Sequence, residues 1–137
     1  MPVLTRAADV ATRRLPKLIT ADAHRTADYL LAGSFLAAGA WFWKRNRRAA
    51  VASWISGGSL LGLTLLTSYP GKNRRYLAFP FHGKVEIGMA AMVAAMPELL
   101  QFEDENEKHF FTIKAGLLTV VSNLTAFFEK PPPQLRR

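Results

Sequence analysis

The chain has 137 residues, half of them apolar and a fifth charged, with 18 Lys and Arg against 10 Asp and Glu. So many apolar residues exclude a disordered chain. The absence of cysteine excludes a disulfide scaffold and any thiolate-ligated zinc or iron–sulfur site.

The charges fall in clusters, and very apolar segments run between them. Residues 1–25 form a basic tail. Val3, Leu4, Ala7, Ala8, Ala11 and Leu15 share one helical face, with Arg6, Asp9, Arg13 and Arg14 mostly elsewhere. That pattern predicts a short amphipathic helix on anionic lipid, ended by Pro16, or else a flexible basic tail. It has no apolar run of secretory-signal type.

Four apolar segments follow, at about 27–43, 49–69, 85–102 and 110–128. Each approaches the roughly 20 residues that a helix needs to cross a bilayer. The segment 49–69 carries no charge, and 27–43 carries only Asp28 near its start. A soluble bundle would show a charged stripe on every helix. The expectation is therefore an all-α, four-helix transmembrane bundle over residues 26–128, built from two helical hairpins. A C-terminal tail follows at 129–137. Trp and Tyr near the segment ends, including Tyr29, Trp41, Trp43, Trp54, Tyr69 and Tyr76, suit the two membrane interfaces.

With four spans both termini lie on one side. The tail, the connector 70–84 and the C-terminus outweigh Lys44–Arg48 and Lys108 in basic residues, so the positive-inside rule places both termini in the cytoplasm. The expected location is a bacterial inner membrane, multi-pass.

Gly57, Gly58 and Gly62 form a small-residue stripe, Gly58 and Gly62 in Gly-x-x-x-Gly spacing. They are predicted to let helix backbones approach closely. Glu98 and Lys114 flank the acidic loop 103–109 at similar depth and are expected to pair as an intramembrane ion pair.

Shifting the chain by 58 residues lays the first hairpin on the second. His24 meets His82, Ala32 meets Ala90, Ala37 meets Ala95, Ile55 meets Ile113, Gly58 meets Gly116, and Leu60 meets Leu118. Leu66 and Thr67 meet Leu124 and Thr125, and Asp28 meets Glu86. An internal duplication of a two-helix unit is the expectation.

Gly39-Ala40-Trp41 closes the first helix, and Ala52-Ser53-Trp54 with Gly57-Gly58 opens the second. Over about 24–128 the chain thereby resembles the SPW-repeat family of small bacterial membrane proteins. It departs from that family's Ser-Pro-Trp triplet, of which the second half keeps only Pro97. The resemblance implies a membrane location and offers no catalytic residues.

His24 with Asp28, and His82 with Glu86, stand at i and i+4, where two side chains share a helix face. They are the candidate cofactor ligands. The alternative is a pair of interfacial histidines beside helix N-termini, where acids are favoured by the helix dipole. No catalytic residue, metal or cofactor is assigned from the sequence. Three functional readings stand. The first is a non-enzymatic membrane protein, structural or accessory to a membrane complex, with the bilayer and other subunits or further copies of itself as partners. The second is a cofactor-binding or transport protein using the His/acid pairs. The third, a soluble basic bundle that binds nucleic acid, fits the apolar segments least, and nucleic acid is not an expected partner.

Overall fold

The computed structural model describes residues 17–72 and 74–127. The expected amphipathic stretch before Pro16 and the C-terminal tail lie outside the described residues. Four helices make up the body: α1 (Ala21–Phe42), α2 (Arg47–Leu66), α3 (Phe79–Leu99) and α4 (Lys108–Leu124). Two short strands, β1 (Thr67–Ser68) and β2 (Leu77–Ala78), join α2 to α3.

Helix starts follow capping residues rather than the first apolar residue. Thr20 caps α1 by accepting the Ala23 N–H at 3.2 Å, and Asn46 caps α2 by accepting the Ala49 N–H at 3.1 Å. Pro80 sits in the first turn of α3, where a missing N–H costs nothing. Helices α1 and α3 therefore begin six residues before the apolar segments expected at 27 and 85. Their first two turns carry both His/acid pairs. Helix α2 ends at Leu66, because Thr67 and Ser68 turn extended and pair in parallel with Leu77 and Ala78.

Helix α1 packs along α2, and α3 along α4, as two hairpins that join through α2 and α3. Phe35, Leu60, Val93, Phe102, Phe111 and Leu118 fill the shared core. At one end of the bundle, Asn46 Nδ2 donates to Glu105 Oε2 at 2.8 Å, which ties the α1–α2 turn to the α3–α4 loop. At the other end, Ile19 bridges Thr125 just as Leu77 pairs with Thr67. Ile19 and Leu77 are 58 positions apart, and so are Thr67 and Thr125.

Among the described residues only α2 is both long and apolar enough to cross a membrane by composition. Helices α1 and α3 spend their first turns on charged residues, and α4 has 17 residues. Large apolar side chains nevertheless face outward on all four helices: Leu30 and Trp41 on α1, Ile55 and Leu66 on α2, Ile87 and Leu99 on α3, Ile113 and Val120 on α4.

Candidate metal centre

The two i, i+4 pairs meet in the core of the bundle, near one end. Helices α1 and α3 turn the same face inward at the same depth, so His24, Asp28, His82 and Glu86 converge, each with no exposed surface. The histidines are therefore held in the protein core, in the first turn of each helix, rather than on its surface.

The contacts cross between hairpins. His24 Nε2 lies 2.9 Å from Glu86 Oε2 and 3.2 Å from Asp28 Oδ2. His82 Nε2 lies 2.9 Å from Asp28 Oδ2 and 3.6 Å from Glu86 Oε2. The two Nε2 atoms are 3.3 Å apart. One nitrogen from each histidine and one oxygen from each acid thus outline a small polyhedron. A tetrahedral ion with bonds of about 2.0–2.1 Å has ligands separated by about 3.3–3.4 Å. The five separations that involve a histidine nitrogen bracket that value, and all four ligand atoms lie within 4.8 Å of one another.

Threonines fix the imidazoles from behind. Thr125 Oγ1 donates to Val121 O at 2.6 Å, and Thr67 Oγ1 donates to Leu63 O at 2.6 Å. A hydroxyl has one proton, so each oxygen must accept from the histidine it touches. Those contacts are His24 Nδ1 to Thr125 Oγ1 at 2.7 Å and His82 Nδ1 to Thr67 Oγ1 at 2.8 Å. Both Nδ1 atoms therefore carry hydrogen, and both Nε2 atoms point at the centre. This is the outer-shell arrangement that orients a metal-binding histidine. We expect Thr67→Val or Thr125→Val to lower zinc affinity by about 10–100-fold with the fold intact, read by titration against a chelator of known affinity.

Polar demand at the centre is not met by protein groups alone. Asp28 Oδ1 and Glu86 Oε1 are buried and have no hydrogen-bond partner, and the same holds for Ser122 Oγ. Burying carboxylates so completely is costly unless a cation compensates them.

The other expected site residues fall differently. Lys114 Nζ donates to Ser34 Oγ at 2.6 Å and lies over the rings of Phe35 and Phe110, while Glu98 faces outward. The expected Glu98–Lys114 ion pair does not form, because Ser34 on the neighbouring helix is within reach of the ammonium. Of the glycine stripe, only Gly57 is at a helix contact. A Cβ there would stand 2.7 Å from Phe35 Cβ, whereas Gly58 and Gly62 have nothing within 4 Å. Gly39, named in the sequence only for the family resemblance, is a second close contact and packs under the Trp54 indole. Sequence reasoning gave no role to Thr67 and Thr125, although the 58-residue shift had already aligned them. Compared with known protein families, curated proteins and solved structures, the chain matches none of them.

Proposed function

We propose that this protein is a small, non-enzymatic, four-helix membrane protein whose two hairpins are stapled together by one divalent transition-metal ion of the zinc class. The observation that carries the reading is the buried convergence of His24 Nε2, His82 Nε2, Asp28 Oδ2 and Glu86 Oε2. One divalent ion offsets both carboxylates and uses both lone pairs. Two imidazoles and two carboxylates are ligands that suit zinc and neighbouring metals. Four protein ligands leave no open position, which is the habit of structural rather than catalytic sites.

The membrane part rests on the outward apolar side chains of all four helices. Large apolar side chains exposed on every helix suit contact with lipid or with other subunits. Helices of 22, 20, 21 and 17 residues are about 26–33 Å long, close to the hydrocarbon thickness. The described chain ends and the α2–α3 connector share one end of the bundle, the cytoplasmic end in this reading. The metal centre lies just inside it. An ancestral two-helix unit, doubled, explains why partners across the centre are 58 residues apart.

The test is direct. Protein extracted from membranes in mild detergent without chelator should carry close to one equivalent of metal per chain by elemental analysis. It should stay in the membrane fraction through a carbonate wash. Metal-free protein that also fails to take up zinc would remove the metal reading. Release by carbonate would remove the membrane reading.

A further inference from the structure

A second site stands beside the metal centre. A cavity of about 150 Å³ opens at the same end of the bundle, lined by Arg25, Tyr29, Thr64, Thr67, Tyr69, Lys72 and Arg75. That is space for several waters or one small polyatomic ion. Its charged lining is entirely cationic, and none of the three bases pairs with an acid among the described residues.

The site is built rather than merely basic. Tyr69 is only 5% exposed, yet its hydroxyl has no hydrogen-bond partner. A buried phenol that lines a cavity with its donor unused is an invitation to an acceptor. Arg75 is held in place, its N–H donating to Ser68 Oγ and its guanidinium to Leu65 O at 2.7 Å. Arg25 lies against the Tyr69 ring at 5.8 Å. The basic groups are therefore partly ordered before any ligand arrives, which lowers the entropy lost on binding.

The opposite side of the bundle supplies a comparison within the same molecule. Adding 58 to Arg25, Tyr29 and Tyr69 gives Gly83, Ile87 and Phe127. The metal ligands and their threonines recur across this shift, but the guanidinium and both hydroxyls do not. The Phe127 ring occupies the space over Gly83. That side has its own pocket of about 200 Å³, lined by Gly83, Ile87 and Phe127 with Lys17 and Lys84, but it offers no guanidinium and no tyrosine hydroxyl.

We propose that this cavity binds a phosphate-class oxyanion, held by Arg25, Arg75 and Lys72 and by a hydrogen bond from Tyr69. Guanidinium groups suit such ions because they donate two parallel N–H bonds. The oxyanion is either the phosphate of a lipid headgroup, since this end of the bundle lies at the headgroup level in the membrane reading, or a free phosphate.

The experiment uses the full chain, loaded with zinc, in detergent and in lipid nanodiscs. Inorganic phosphate is titrated calorimetrically at constant ionic strength, with chloride as the comparison anion. Retained phospholipid is measured by phosphorus analysis after exhaustive detergent exchange. Arg25→Gln should weaken phosphate binding or strip retained lipid by about tenfold, and Tyr69→Phe should do so by several-fold. Lys84→Gln, outside the cavity, should have no effect. Phosphate binding without retained lipid identifies a free ion as the ligand, and retained lipid that phosphate does not displace identifies the headgroup. Zinc content should stay at the wild-type level in every variant, so loss of the metal reading would be seen separately. The proposal is overturned by the absence of both phosphate binding and retained lipid. It is overturned equally by values that Arg25→Gln and Tyr69→Phe leave unchanged.

Discussion

Replacing His24 or His82 with alanine should lower zinc affinity at least about 100-fold and remove most of the stabilisation that zinc confers. Structural zinc sites in small peptides are worth about 10–16 kcal/mol of apparent binding free energy. One ligand of four then carries about 3 kcal/mol, and each 1.4 kcal/mol is a factor of ten. In the intact protein, zinc at a thousand times its dissociation constant adds about 4 kcal/mol to the folded state. Because His24 and Asp28 come from one hairpin and His82 and Glu86 from the other, that gain acts between hairpins. Asp28→Asn and Glu86→Gln should also weaken binding, since a neutral amide does not offset the ion's charge. His109 provides the control, because it faces outward at the far end of the bundle, and His109→Ala should bind zinc as the wild type does. Zinc titration against a chelator, with thermal midpoints before and after loading, measures both quantities. Equal affinity in the wild type and in both histidine variants would place any bound metal elsewhere.

The centre was half legible in the sequence. The spacing of His24 with Asp28 and of His82 with Glu86 put each pair on one helix face, and the 58-residue shift aligned the pairs. What the sequence did not show was that the faces turn toward each other. The apolar segments began after both histidines, so the histidines read as interfacial. Capping by Thr20 and the proline start of α3 extend the helices backward by two turns and draw both pairs into the core. The helical bundle and its hairpin order were legible because apolar runs separated by charge clusters dictate them. The parallel contacts of Thr67 with Leu77 and of Ile19 with Thr125 were not, because two-residue strands leave no periodicity to read. The Glu98–Lys114 pairing failed for a similar reason. Matching depth along two helices does not fix rotation about their axes, and Lys114 rotates toward Ser34.

Rotation also decides the outcome at the glycine stripe, where Gly57→Leu should be strongly destabilising and Gly58→Leu should not. A Cβ at Gly57 would meet Phe35 Cβ at 2.7 Å and the Ala32 carbonyl oxygen at 3.0 Å. The first is closer than real Cβ contacts come, and the second is backbone. Neither can yield without moving α1 away from α2. Overpacking a tight contact usually costs about 1–3 kcal/mol. Here the loss should reach the upper end of that range, because in lipid close backbone approach is itself what holds helices together. At Gly58 nothing lies within 4 Å, so a leucine there meets open space and gains helix propensity of up to about 1 kcal/mol over glycine. Gly62→Leu should behave in the same way. Thermal midpoints in one detergent would rank the three variants, with Gly57→Leu several degrees below the others. Size-exclusion chromatography adds a second readout. If Gly58→Leu or Gly62→Leu destabilises the protein more than Gly57→Leu, or dissociates an oligomer, the Gly-x-x-x-Gly face is a contact between copies of the chain. The α1–α2 seam would then not be the tightest helix contact in the assembly.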